Sequence, residues 1–432
     1  MRGRCLLLVG IAGWGLSCGG EEAAPTKARE VAPPPAAEAA PPADLDTGIV
    51  LALAQFVTEG GKPIPGPARL EFLQLRDGAW RMTALEDPDS VVFHKAMVFE
   101  GPSGEGLLTF AGSAPGTGDP GHLKFWTPGD DGLSAEVLWA NHWGGKVSRM
   151  RDGEVADLFG DGRDSIALAT HDQGVVATLR PVADGFEVSE LDRQPDTFVH
   201  EIEVGDLDGD GIPEVYATPS EPNRLDGSVQ RGEVVRYVPA TGEGRVVVAD
   251  LGDRHAKEIL VEDLDGDGRD ELYVAVEGHM GADKRLEDPV EIRRYDADTP
   301  ADAGRVVAIL RDRLTRFLTA GDVDGDGRKE VVAAAFSSGL WLLRPGSDPD
   351  AKWKATLIDR NSAGFEHAAL LTDLDEDGVD ELYVASDKHK EVRRYTWQGG
   401  KPVREVIYER PDDRPIFTWN LMPVPSSLIP GS

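Results

Sequence analysis

The chain has 432 residues, 40% of them hydrophobic, with 50 glycines and 30 prolines, and carries a formal net charge of −32 from 77 acidic and 45 basic side chains. So acidic a surface repels nucleic acid and anionic membranes, which excludes a nucleic-acid-binding role. Only two cysteines are present, so no disulfide framework is available and stability has to come from packing and bound ligands.

Residues 1–17 read as a secretory signal, with Arg2 and Arg4 ahead of an apolar stretch from Cys5 to Leu16 that is too short to remain as a membrane span. The run Gly15-Leu16-Ser17-Cys18-Gly19 resembles a bacterial lipobox, although its leucine stands two residues before the cysteine rather than three. That resemblance implies that Cys18 carries lipid and becomes the mature N-terminus. Gly19 then favours the outer membrane of a bacterial cell envelope. Residues 18–46 are rich in alanine and proline without apolar periodicity and read as a tether. The folded part is expected over 47–424, followed by a tail at 425–432.

Within it a nine-residue acidic loop recurs: Asp206-Leu-Asp-Gly-Asp-Gly-Ile-Pro-Glu214, Asp263 to Glu271, Asp322 to Glu330 and Asp373 to Glu381, preceded by a weaker copy from Asp157 to Ser165. The first aspartates are 49, 57, 59 and 51 residues apart. Each loop lies between alternating or β-branched runs such as Glu201-Ile-Glu-Val204 and Glu271-Leu-Tyr-Val-Ala275, so it joins two antiparallel strands. Two further strands fit in each interval, and four strands in about fifty residues make one propeller blade.

Spacing places two more units ahead of Asp157, the second around a ligand-free Glu100 to Gly106, while Pro415 to Met422 forms a strand with no unit after it. That strand is expected to complete the N-terminal blade, removing both sheet edges. The fold class is therefore all-β, a seven-bladed β-propeller, with six or eight blades as alternatives. Its first blade combines 47–88 with 413–424, and the others start near 92, 147, 197, 254, 313 and 364.

Oxygen donors at loop positions 1, 3, 5 and 9, with a backbone carbonyl at 7, can wrap one hard cation, and the glycine at 6 permits the turn. These positions are Asp206, Asp208, Asp210, Ile212 and Glu214; Asp263, Asp265, Asp267, Arg269 and Glu271; Asp322, Asp324, Asp326, Arg328 and Glu330; and Asp373, Asp375, Asp377, Val379 and Glu381. A flexible cage made wholly of protein oxygens suits calcium better than magnesium. An EF-hand is excluded, since its twelfth position would be Ala217, Val274, Ala333 or Val384.

Over about 147–410 the sequence resembles the FG-GAP and VCBS repeat family, the calcium-loop propellers that include the head of integrin alpha subunits. The weaker copy retains Asp157 and Asp161 but has Phe159 and Ser165 at positions 3 and 9. Four calcium ions are expected, or five if that loop also binds.

Six residues before each first aspartate stand Arg151, His200, Lys257, Arg316 and His367, matched by His94 in the second unit and loosely by Arg414 in the first. Parallel inner strands would gather these into a ring at the channel mouth opposite the loops, able to hold a carboxylate, sulfate or phosphate. Pairing with neighbours such as Asp152, Glu201 or Glu258 is the alternative. A cluster of His122, Trp126, Trp139, His142 and Trp143 reads as packing before it reads as a sugar platform.

No catalytic histidine pair, nucleophile elbow or phosphate loop is present. The expectation is an interaction module for a protein or an anionic polysaccharide, serving adhesion, envelope assembly or polymer binding, rather than an enzyme. The alternative is a calcium-stabilised carbohydrate-active enzyme such as a polysaccharide lyase.

Overall fold

The computed structural model describes residues 44–431 apart from positions 130–131, 145–146, 172, 184, 223, 225–227, 350, 365–366 and 412–413. The expected signal segment, Cys18 and most of the tether lie outside the described residues.

Among the described residues seven antiparallel sheets of four or five strands follow one another along the chain, with a two-stranded hairpin of His279–Met280 and Leu286–Asp288 inserted in the fifth. Blades 2 to 7 each run from the inside outward in sequence order, and their innermost strands are Val92–Gly101, Met150–Ala156, Phe198–Gly205, Ala256–Glu262, Thr315–Gly321 and Ala369–Thr372. Blade 1 is closed as the spacing predicts. The C-terminal strand Ile416–Pro425 pairs antiparallel with Thr47–Glu59, from Thr47 opposite Pro425 to Gln55 opposite Ile416, with one irregularity at Ala52 and Leu53. Ala68–Arg76 and Ala79–Asp87 complete that blade.

The burial pattern explains why these strands read as apolar runs. Second strands such as Ser165–Thr170, Glu271–Val276 and Glu381–Ser386 are buried along their whole length, because both faces of a blade press on neighbouring blades. Outermost strands such as Gly185–Asp192 keep exposed polar residues. Among the described residues the buried side chains fall into clusters that each straddle two consecutive blades, including the closing contact where Ile49 and Leu51 meet Tyr383 and Ala385. Each fully buried Leu, Val or Ile contributes about 1.5–3 kcal/mol, so the ring is held chiefly between blades. The blade 2 tryptophans serve this packing: Trp126 and Trp143 are buried, Trp126 donates to Thr109 Oγ1 at 2.9 Å, and Trp139 meets Trp143 edge-on.

Polar contacts lock the closure. Arg410, buried after the last strand of blade 7, reaches Glu71 of blade 1 at 3.2 Å and Asp387 of blade 7 at 2.9 Å, and donates to Thr418 Oγ1 of the closing strand at 3.1 Å. Asp387 in turn accepts the Thr418 N–H at 2.7 Å and its hydroxyl at 2.8 Å.

Candidate functional site: acidic loops and the channel mouth

The acidic loops leave the ends of inner strands and return into second strands, so they share one face of the ring. The first aspartate folds each one. Asp206 accepts the N–H groups of Gly209, Asp210 and Gly211 at 2.8, 3.0 and 2.7 Å, and Asp263, Asp322 and Asp373 serve their own loops likewise. The fifth-position carboxylates of Asp210, Asp267, Asp326 and Asp377 accept the N–H groups of Ile212, Arg269, Arg328 and Val379. Positions 4 and 6 lie at positive φ, as in Gly209 at 73° and Gly211 at 84°, which accounts for the glycines.

This turn gathers four groups able to hold metal ions: Asp206, Asp208 and Asp210; Asp263, Asp265, Asp267 and Glu271; Asp322, Asp324 and Glu330; and Asp373, Asp375 and Asp377. Within each group one ligand atom per residue lies within 4.8 Å of the others. Asp326, Glu214 and Glu381 fall outside their groups.

The ninth-position glutamates are explained by contacts that spacing could not reveal. Glu214 accepts the Tyr216 hydroxyl at 2.6 Å and the Leu207 N–H at 3.1 Å, and Glu271 accepts those of Tyr273 and Leu264 at 2.7 and 3.3 Å. Their other oxygens face arginines of the third strand: Arg236 with Glu214, Arg294 with Glu271, Arg344 with Glu330 and Arg394 with Glu381. Burial pushes the Glu271 carboxyl up to about 7, against the pull of the Tyr273 hydrogen bond and of Arg294. These glutamates therefore anchor the loop base as well as offering oxygen.

The weaker loop folds in the same way, with Asp157 accepting the Asp161 and Gly162 N–H groups at 2.9 and 2.8 Å. It gathers no metal group among the described residues. The Arg180 guanidinium lies 4.6 Å above the Phe159 ring and 2.6 Å from Asp161, which also pairs with Arg163 at 2.9 Å. Arg163 and Arg180 hold the Asp161 carboxyl down at about 2. An internal cation stands here beside the fifth-position carboxylate.

Neighbouring loops are also latched together. Asp270 of blade 5 accepts the Asp206 N–H of blade 4 at 2.8 Å, and Asp380 of blade 7 accepts the Asp322 N–H of blade 6 at 2.7 Å. A side chain at the preceding Gly205 or Gly321 would strike these carboxylates, at 2.8 and 2.7 Å.

At the opposite end of the inner strands the predicted basic ring forms, but its members part company. His94, Arg151, His200 and Arg316 line one cavity of about 350 Å³ together with Arg149 and His171. Lys257 and His367 do not line it, and Arg414 lines a neighbouring cavity and donates to Gln55 at 3.1 Å. The closing strand of blade 1 contributes Phe417 and Trp419 instead, with Arg151 stacked 4.9 Å over Trp419 and His94 edge-on to it at 4.7 Å. Arg149 was legible as the residue two before Arg151 on the same strand face. Trp419 was not, because its register follows from ring closure.

Burial, then the charges of Arg151 and Arg149, holds His94 well below its usual range, although its Nδ1 lies 2.8 Å from the Met150 carbonyl. His200 is lowered in the same way by burial and then by Lys257, and its Nε2 has no hydrogen-bond partner. Burial lowers Arg316 to about 10.

The carboxylates beside the ring are engaged elsewhere. Asp152 pairs with Lys95 at 3.2 Å and accepts the Ile202 N–H at 3.0 Å, and Glu258 accepts the Leu318 N–H at 2.7 Å. They cap donors on the free edges of the innermost strands in the next blade. Burial and mutual repulsion raise Glu201, Glu203 and Glu258 well above the carboxylate range. A cationic mouth thus overlies an acidic channel wall.

His367 is a structural pin. It is fully buried at φ 54°, with Nε2 3.0 Å from Ser362 Oγ, and burial lowers its pKa to about 4. A folded value below the unfolded one means that its stabilisation is complete above pH 6.5 and is lost as the pH falls through about 4. His367→Asn, which tolerates positive φ, is expected to narrow the stability gap to the unsubstituted protein by about 3 kcal/mol between pH 7 and pH 4. Urea unfolding at the two pH values measures this, and a constant gap would overturn it.

No protein-family model matches the chain, and no curated protein matches it in sequence. Among solved structures it is similar to a protein from Lactobacillus plantarum, at 10% identity over 88% of this chain and 99% of that one, with a TM-score of 0.55. It is also similar to a candidate 6-phosphogluconolactonase from Bacteroides uniformis, at 12% identity over 88% and 100% of the two chains, with a TM-score of 0.50. At these identities the likeness concerns the fold alone, and it agrees with the sheet order: the protein is a seven-bladed β-propeller.

Proposed function

We propose that the protein is an exported, lipid-anchored, calcium-binding propeller of the FG-GAP and VCBS type, acting as an interaction module whose channel mouth holds an anionic ligand. The observation that carries the ligand reading is the cavity lining. In a chain of net charge −32, three arginines and three histidines converge on one cavity whose lining contains no carboxylate among the described residues. The Arg149, Arg151 and Arg316 guanidiniums gathered at one cavity focus a field that favours an anion.

The metal reading rests on donor chemistry. The four loop groups offer only oxygen, which fits a hard dication, and a flexible carboxylate cage favours calcium over magnesium. Asp206, Asp208 and Asp210, and their counterparts, would hold the ion, whose chemistry here is charge neutralisation and bracing of the inner hairpin. The lipobox resemblance at Cys18 supports attachment to a bacterial envelope, and the anion could be a free small molecule or the charged end of a protein or polysaccharide.

A polysaccharide lyase is the second reading, favoured by one observation: the unpartnered Nε2 of His200, a ring kept neutral, stands among arginines as a proton-abstracting base would. Such a lyase would release unsaturated, ultraviolet-absorbing products from uronate polymers, whereas the module would retain a polymer unchanged.

The test is to measure calcium stoichiometry and anion binding on the same preparations. Four ions per chain are expected, since the 157–165 loop has Phe159 and Ser165 in place of carboxylates and gathers no metal group among the described residues. Arg151→Gln is expected to weaken carboxylate binding about 10- to 100-fold through one lost charge-assisted contact, with calcium affinity unchanged. Unaltered anion binding would remove the channel mouth from consideration.

A further inference from the structure

Resting on the anionic-ligand reading, we propose that the channel mouth is built for a compact amphiphilic anion, one acidic group on an apolar or aromatic body, rather than for a wholly hydrophilic anion or an internal stretch of polymer. The cavity has two unlike walls. Blades 1 and 2 supply Phe56, Phe417, Val91 and Val92, with Phe56 and Phe417 packed edge to face at 5.5 Å. Blades 3, 4 and 6 supply the basic wall, with the Arg151 and Arg316 guanidiniums beside the neutral His200 ring.

Trp419 stands at the seam, one part of its surroundings being the Arg151 guanidinium stacked on it and another the His94 ring edge. That stacking fixes the guanidinium at the border between the walls, so an acidic group placed there leaves the rest of its molecule against the aromatic side. His200 adds an independent pointer to a ligand. It is 2% exposed, lines the cavity, and carries a ring nitrogen with no hydrogen-bond partner. Burying such a nitrogen unmatched is unfavourable unless a ligand completes it.

Size sets the third limit. A cavity of about 350 Å³ lies at the small end of ligand sites and accommodates one or two fused rings. A hydrophilic anion such as acetate would leave the apolar wall facing water, while a polymer would need a groove that continues beyond this space. An apolar body buried against Phe417 and Phe56 should tighten binding about 10- to 100-fold over the acidic group alone.

The experiment is calorimetric titration of the full-length, calcium-loaded protein with 2-naphthoate, acetate and 2-naphthol. We expect 2-naphthoate to bind at least about tenfold more tightly than either of the others. Phe417→Ala should remove most of the advantage of 2-naphthoate over acetate while leaving acetate binding as it was. Phe56→Ala, on the same wall, provides the same comparison if the first variant unfolds.

Equal binding of 2-naphthoate and acetate would overturn the amphiphile inference and leave the anion site standing. Equal binding of 2-naphthoate and 2-naphthol would overturn the anion reading itself. Binding of neither carboxylate would overturn both.

Discussion

Chelation of divalent cations is expected to lower the thermal unfolding midpoint of this protein by roughly 10–15 °C, the largest single change open to it. Each of the four loop groups holds three or four acidic side chains with ligand atoms within 4.8 Å of one another. Such carboxylates repel one another unless a cation joins them. An ion at one hundred times its dissociation constant stabilises a site by about 2.7 kcal/mol. Four independent sites then sum to about 11 kcal/mol, comparable with the whole stability of many domains, about 5–15 kcal/mol.

Single substitutions localise the effect. Asp324→Ala should cost about 3 kcal/mol in calcium and little in chelator. Asp161→Ala should show no such calcium dependence, because its loop has Phe159 and Ser165 where the others have carboxylates and gathers no metal group among the described residues. Differential scanning calorimetry with and without chelator reads both. Equal losses for Asp324→Ala in the two conditions would mean that its loop holds no metal.

The second large effect is expected at the seam of the ring. Arg410→Ala should destabilise the protein by about 3–5 kcal/mol, the cost of stranding buried charge. The substitution leaves the covered carboxylate of Asp387 without a guanidinium, while Glu71 keeps only Arg69, at 3.2 Å. It also loosens Thr418, which Arg410 and Asp387 jointly hold in the closing strand. The strand Ile416–Pro425 should therefore become the first site of limited proteolysis, since it is tied to the remainder only through blade closure.

Urea unfolding in calcium gives the magnitude of this loss. A double substitution with Asp387→Ala should cost less than the two single losses added, as expected for partners in one network. A loss below about 1 kcal/mol for Arg410→Ala, the worth of a surface pair, would show that packing alone closes the ring.

The loops were legible in the chain because all their donors lie within nine residues, where turn chemistry dictates position. The carboxylate of the first aspartate, the left-handed glycines and the carboxylate of the fifth aspartate shape the turn from within the loop, and only the first aspartate's N–H reaches a neighbouring blade. One exception proves informative. Glu376 occupies the fourth position of the last loop at φ 58°, a conformation glycine adopts in the other loops, so the turn tolerates a bulky residue there. The ninth position was less legible: whether Glu214 meets a metal or Tyr216 and Arg236 depends on a third strand whose register no local pattern fixes.

The sequence by itself determined the blade repeat, the closing role of the strand near Pro415 to Met422 and four acidic loops with metal-ligand spacing, because a period near fifty residues and local turn geometry carry that information, while the sheet order decided seven blades over six or eight. Tertiary structure alone decided which cations share a cavity. His94, Arg151, His200 and Arg316 meet there while Lys257 and His367 do not, and Trp419 joins them from more than 100 residues away along the chain. Equal spacing places residues at equivalent heights in every blade, but the direction in which each long side chain turns is set by its neighbours across the channel, and those exist only once the ring has closed.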